Sequence, residues 1–98
     1  MKLHAVWHEL AVEEFLSAIQ WYEDQRSGLG KEFEVACRAA IALIEQHPLR
    51  FPVVHGELRR VVLRRFPYTI LYRPREAELV IVAVMHERRD PRRWRSRR

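Results

Sequence analysis

Arginine supplies every positively charged side chain in the second half of this chain. Residues 50–98 contain fourteen arginines, no lysine and five acidic residues, while residues 1–49 contain four Lys or Arg and eight Asp or Glu. The net charge of +5 therefore combines an acidic first half with a strongly basic second half. A guanidinium group binds phosphates and carboxylates through paired hydrogen bonds and stacks on flat rings, which a lysine ammonium cannot do. The pattern favours a binding surface for an acidic or anionic partner, although GC-rich coding also favours arginine over lysine.

The arginines also cluster by position, and this makes them candidate binding residues. Those on or beside the predicted strands should rim a concave basic surface, with the arginines of the C-terminal tail close by. The candidates are Arg59, Arg60, Arg64, Arg65, Arg73, Arg88, Arg89, Arg92 and Arg93, together with Trp94. Alternatively, the strand arginines only solubilise exposed strands and keep them from pairing with other chains. Trp94 is either a hydrophobic plug that pins the tail or an exposed platform for a base or a partner side chain.

Cysteine and histidine show no pattern of nucleophilic or metal chemistry. Cys37 is the only cysteine, so the chain can form no internal disulfide and fits a reducing cytosol. It lies among alanines on a predicted helix, which favours a small buried hydrophobe over a nucleophile. The five histidines are scattered and lack the paired spacing of metal ligands. We therefore expect neither a metal nor a cofactor.

Two amphipathic helices are expected in the first half of the chain. A short strand is predicted over residues 2–7, and apolar residues then recur at helical spacing from about Glu9 to Gln25. A second helical pattern runs from about Lys31 to Gln46, and Pro48 ends it. Because the link between the two helices is short and contains glycine, they should form an antiparallel hairpin.

Three β-rich runs follow, and their short connections predict antiparallel strands. The runs are Leu58–Phe66, Tyr68–Arg73 and Glu78–His86. The segment 79–84 is apolar on both faces, so it should be covered on both sides near the middle of the sheet. We expect one α+β domain over residues 1–98, in the order β-α-α-β-β-β. The helical hairpin should pack on one face of a small, mainly antiparallel sheet, and a basic tail should follow at 87–98.

Several short segments occur in an order that is typical of one protein family. They are Trp21-Tyr22-Glu23 with Gly28-Leu29-Gly30 and Phe33; His47-Pro48 and Phe51-Pro52; Arg64-Arg65-Phe66-Pro67-Tyr68 with Ile70 and Tyr72; and Ala83-Val84-Met85-His86 running into Arg88-Arg89-Asp90-Pro91 and Trp94. In these segments the chain resembles the RelE/ParE superfamily of toxins from bacterial type II toxin–antitoxin systems, and it is more similar to the ParE branch. The fold of that family is the β-α-α-β-β-β arrangement predicted from the residue pattern.

The resemblance implies a small cytoplasmic toxin that forms a hetero-oligomer with a cognate antitoxin of the ParD or RelB kind. Such antitoxins generally carry a DNA-binding region and an extended, often acidic segment that wraps the toxin. ParE-like members are associated with inhibition of DNA gyrase, and RelE-like members cleave mRNA on the ribosome. No apolar run is long enough for a membrane helix, and no secretion signal is recognisable, so a membrane partner is not expected.

The two activities place different demands on the residues. Cleavage of RNA through its 2′-hydroxyl needs a base, an acid and cations over the phosphate. His86, Arg65 and Arg73 could supply part of that set, with Tyr72 or Trp94 as a stacking ring. However, RelE-type sites usually include lysines or a tyrosine near the C-terminus, and this tail contains neither. His86 can equally be a structural residue at a strand end. Gyrase inhibition by binding needs only shape and charge, so the sequence favours a ParE-like toxin over an mRNA endonuclease.

Overall fold

Seven elements form the described part of the computed structural model, which comprises residues 3–89, 94 and 97. They are β1 (His4–Trp7), α1 (Glu9–Gln25), α2 (Leu29–Gln46), β2 (Val53–His55), β3 (Leu58–Val62), β4 (Tyr68–Pro74) and β5 (Glu78–His86). The bounds predicted for α1 and β5 are confirmed, whereas α2 begins two residues before the predicted start. The three-residue strand β2 was not predicted, because a run this short after Pro52 gives no alternation to detect.

Side-chain and backbone contacts at the turn hold the two helices as a hairpin. His8 caps α1, since its Nδ1 accepts a hydrogen bond from the N–H of Leu10 at 3.1 Å. At the other end of α1, the Glu23 carboxylate accepts hydrogen bonds from the N–H groups of Gly28 and Gly30. Gly30 also lies against α1 so closely that an added Cβ would stand 2.6 Å from the carbonyl oxygen of Ile19. The Glu23 and glycine segments of the sequence pattern therefore build the turn between the helices.

The sheet is open and mostly antiparallel, in the order β1-β5-β4-β3-β2. The first strand pairs with β5 in parallel, and both helices and three strands separate the two along the chain. The other strands form an antiparallel meander, as the short connections predicted. The predicted α+β fold, with a helical hairpin on a mainly antiparallel sheet, is confirmed.

Each face of the sheet has its own apolar cluster. On the face that the helices cover, here called the hairpin face, Phe33 and Tyr22 pack against strand residues such as Ile81 and Val84. On the opposite face, here called the open face, Val82 and Met85 pack with residues of other strands and with Trp94 of the tail. Strand β5 contributes to both clusters, which confirms the prediction that its apolar run is covered on both sides. None of the described helices is long and apolar enough to cross a bilayer.

Candidate functional site

The arginines near β3 divide between the two faces of the sheet. Arg59 pairs with Tyr72 on the hairpin face, and its Nη1 donates to the carbonyl oxygens of Phe51 at 2.6 Å and Leu49 at 3.2 Å. These bonds tie the loop that precedes β2 to the sheet. The expectation that all the strand arginines rim one concave surface is therefore wrong for Arg59, because residues of alternate parity point to opposite faces of a strand.

Arg65 also lies on the hairpin side. Its Nη2 donates to the Glu32 carboxylate on α2, and its guanidinium lies 5.2 Å from the centre of the Phe66 ring. The hydrogen bond from Arg65 is the main reason that the pKa of Glu32 lies below its usual value. Both Arg65 and Glu32 are well exposed, so this ion pair joins the β3–β4 loop to the hairpin and leaves Arg65 outside the open face.

Three other candidates lie on or beside the open face. Arg60 pairs with Leu71, and Arg73 pairs with Val80, and both partners belong to the open-face cluster or pack against it. Arg60 and Arg89 line a groove of about 340 Å³ whose apolar walls include Leu58, Val62, Leu71 and Met85. We call it the open-face groove. Its only described carboxylate is that of Glu87, and neither Arg60 nor Arg89 forms an ion pair within the described residues.

The remaining candidate arginines belong to loops or to the tail. Arg64 and Arg88 are exposed, and the backbone N–H of Arg88 donates to Nδ1 of His86 at 3.2 Å. Arg92 and Arg93 lie outside the described residues. The structure therefore brings Arg60 and Arg89 together at one groove, and Arg73 lies farther along the same face. Arg59 and Arg65 lie on the other side of the sheet.

Trp94 is a buried plug and not an exposed platform. Only 1% of the residue is accessible, and its ring completes the open-face cluster over Val82 and Met85. The indole Nε1 donates to the Glu14 carboxylate of α1 at 3.2 Å. Burial of the ring on both sides excludes base stacking by Trp94 in this conformation, so the platform interpretation is corrected.

Glu14 organises this region, and the sequence interpretation did not identify it. Besides Trp94, its carboxylate accepts two hydrogen bonds from the Arg97 guanidinium, at 2.9 and 3.0 Å, and one from the N–H of Val84 at 3.0 Å. Arg97 in turn donates to the carbonyl of Val82, and Arg73 donates to the carbonyl of Arg97. One signal was present in the sequence, because Glu14 lies between Ala11 and Ala18 at the border of the buried stripe of α1. A carboxylate at such a border needs partners.

The residues suggested for RNA cleavage are not brought together. His86 pairs with Tyr68 at one end of the β4–β5 ladder, whereas Arg73 pairs with Val80 at the other. Val80 and His86 are six positions apart on β5, or roughly 20 Å. Arg65 is bound to Glu32, and Tyr72 is fully buried with its hydroxyl donating to the Pro48 carbonyl at 2.8 Å. The geometry therefore does not support His86, Arg65 and Arg73 as one catalytic site, since His86 and Arg73 lie at opposite ends of the β4–β5 ladder.

Cys37 is fully buried between the helices and the sheet, as the sequence predicted for a small hydrophobe. Burial raises the pKa of its thiol to about 12. Within the described residues, no group of three or more His, Cys, Asp or Glu side chains is placed to hold a metal ion. The open-face groove offers arginine and apolar side chains for contact with a partner.

Comparisons with known proteins bear on the fold and the family of this chain. No curated protein sequence matches the chain. One similar solved structure is a chain from the "Chromosomal ParDE TA system from P. aeruginosa", with a TM-score of 0.64 and 13% sequence identity over 87% of this chain and 96% of that one. At this identity the likeness shows the fold alone. The family model described as "ParE toxin of type II toxin-antitoxin system, parDE" matches residues 5–91, and the chain therefore belongs to the ParE toxin family.

Proposed function

We propose that this toxin acts by binding DNA gyrase and that a cognate antitoxin with an acidic segment neutralises it in the cytoplasm. The observation that carries the proposal is the open-face groove, where Arg60 and Arg89 stand beside an apolar wall without an ion-pair partner among the described residues. Arginine next to apolar surface is typical of protein-binding sites, where guanidinium groups and buried apolar side chains contribute most of the affinity.

Recognition, and not bond cleavage, is the activity that these residues support. The described lining of the groove is mostly arginine and apolar side chains, and its one imidazole, His55, and its one carboxylate, Glu87, are both exposed. Cleavage by acid and base would need two titratable groups on either side of the reacting atoms. Binding to a protein target requires only that charge and shape match, which supports gyrase over mRNA as the target.

The target can be tested with purified toxin in a gyrase supercoiling assay. We expect inhibition of supercoiling or accumulation of cleaved DNA, and we expect Arg60→Ala combined with Arg89→Ala to raise the inhibitory concentration by about ten-fold or more. Arg75→Ala is the matched control, since Arg75 is exposed in the turn between β4 and β5, away from the groove. Gyrase that remains fully active at saturating toxin would refute this target.

Induced expression in bacteria separates the two possible targets in cells. Poisoning of gyrase produces the SOS response and filamentation, whereas cleavage of mRNA stops translation at once. We expect filamentation with an SOS response, and co-expression of the antitoxin reading frame encoded beside the toxin should suppress it. Immediate arrest of translation without an SOS response would instead favour an mRNA endonuclease.

A further inference from the structure

Several backbone groups along two exposed edges of the sheet already have partners. On the outer side of β1, the N–H of Leu3 donates to the backbone carbonyl of Glu45, and the N–H of Ala5 donates to the Glu45 carboxylate at 2.9 Å. Beyond the end of β1, two backbone groups on the free side of β5 have partners. The N–H of Val84 donates to the Glu14 carboxylate, and the carbonyl of Val82 accepts from the Arg97 guanidinium. Unpaired strand edges are the sites where another chain can add a strand, and these contacts occupy part of both edges.

The outer edge of β2 is different. The N–H of Arg60 donates to the carbonyl of Pro52 across the pair Val53–Arg59, so this pair is not itself hydrogen-bonded. In an antiparallel ladder, the N–H and C=O of a residue in such a pair point away from the partner strand. Val53 therefore directs both groups outward, and no hydrogen bond joins them to any other part of the described chain.

The surroundings of this edge match an extended acidic peptide. All three residues of β2 are exposed, and 50% of Val53 is accessible. Val62 on β3 and Leu49 in the preceding loop add exposed apolar surface nearby. The charged residues close to the edge in sequence are Arg50, Arg59 and Arg60 against Glu57, so a partner carrying carboxylates would meet a net positive field.

We propose that the antitoxin adds an extended acidic segment to β2 as a sixth strand of the sheet, with main-chain hydrogen bonds to Val53. This inference rests on the proposed neutralisation by an antitoxin and names the surface that receives it. Added strands gain affinity from their backbone bonds and specificity from alternate side chains. Such a strand would run beside the open-face groove, which shares Val54 and His55 with β2, so its carboxylates could reach Arg60.

Two substitutions at position 53 separate backbone pairing from side-chain contact. Val53→Pro removes the outward N–H, and an edge strand tolerates proline where the N–H faces solvent. Val53→Thr keeps the N–H and the β-branched shape. With the purified product of the adjacent antitoxin reading frame as the probe, we expect Val53→Pro to weaken binding by about ten-fold. Val53→Thr should bind within about two-fold of the unsubstituted toxin, since its backbone donor is intact.

Thermal unfolding of both variants checks that proline has not disrupted the fold.

Hydrogen exchange gives a second test, which needs no substitution. The Val53 amide should exchange quickly in the free toxin and slowly in the complex. If the Val53→Pro variant binds as tightly as the unsubstituted toxin, or if the Val53 amide stays unprotected in the complex, the inference is overturned while neutralisation is left intact. Absence of any binding by the unsubstituted toxin would instead overturn both. A toxin dimer that Val53→Pro converts to a monomer would show that a second copy occupies the edge.

Discussion

Glu14 connects three parts of the chain that lie far apart in sequence. Its carboxylate accepts hydrogen bonds from the β5 backbone at Val84, from the Trp94 indole and from the Arg97 guanidinium. The Arg97 side chain is 12% accessible and the Glu14 side chain 26%, so neither charge is fully solvated. A partly buried ion pair contributes little net stability, but loss of one partner leaves the other charge and several donors unsatisfied.

We therefore expect Glu14→Ala to lower the free energy of unfolding by about 2 kcal/mol. Urea denaturation followed by tryptophan fluorescence measures this, since Trp94 is one of the donors that loses its acceptor. Glu13→Ala is the control, because Glu13 is exposed on the same helix and should change stability by about 0.5 kcal/mol at most. Equal effects of the two substitutions would contradict the role of Glu14.

Cys37 offers a second test at this scale. Burial raises the pKa of its thiol from 9.0 to about 12, so the nucleophilic thiolate is scarce in the folded protein. Alkylation by iodoacetamide at pH 8 should be negligible in the native state and rapid in urea. Fast modification without denaturant would show that the site opens. Since the folded pKa exceeds the unfolded value, this thiol's contribution to stability is complete below pH 9 and is lost as the pH rises towards 12.

At the scale of the elements, the close approach of α1 and α2 depends on one glycine. A Cβ at Gly30 would stand 2.6 Å from the Ile19 carbonyl and 3.0 Å from the Glu23 side chain, whose carboxylate accepts the Gly30 N–H. The backbone carbonyl cannot move without bending α1. The helices would have to separate, which would loosen the contact of Phe33 with Tyr22 and Phe66 beneath them.

Gly30→Ala should thus destabilise the fold by about 2 kcal/mol, even though alanine has the higher helix propensity. Lys31→Ala in the same turn of α2 is the control, because Lys31 is exposed and forms only a surface pair with Glu34. Chemical denaturation of the two variants checks the prediction. Stabilisation by Gly30→Ala would mean that propensity outweighs the steric contact.

At the scale of the whole molecule, charge is divided between the layers. The helices and β1 belong to the half of the chain with excess acid, and strands β2 to β5 belong to the half with fourteen arginines. An acidic partner should therefore be attracted to the sheet side. Attraction between exposed charges extends over roughly 10 Å at 0.1 M salt and shortens as salt is added.

The rate of association with the antitoxin should accordingly fall with ionic strength, by about ten-fold between 50 and 500 mM NaCl. Stopped-flow fluorescence can measure the association and dissociation rates separately. The dissociation rate should change much less, since apolar contacts and backbone bonds are insensitive to screening. An association rate that does not depend on salt would show that the arginines of the sheet do not steer the partner.

The sequence by itself determined the helices and all the strands except β2. Helical spacing of apolar residues located α1, and the apolar run at 79–84 predicted that β5 is covered on both faces. Both periods follow from local backbone geometry, so neighbouring residues are sufficient to reveal them. The ordered family segments can also be recognised from neighbouring residues. Several of them build the turn between the helices and the aromatic core around Tyr22 and Phe33.

Only the tertiary structure decided which distant groups meet. Glu14 reaches Val84 across 70 positions and Arg97 across 83, and no pattern within a segment encodes such a pairing. The distance between Arg73 and His86 is likewise not encoded within a segment, because it depends on the register of β4 with β5. The burial of Trp94 depends on the path of the tail. A periodic pattern assigns a side chain to a face, whereas packing and backbone hydrogen bonding together select its partner on that face.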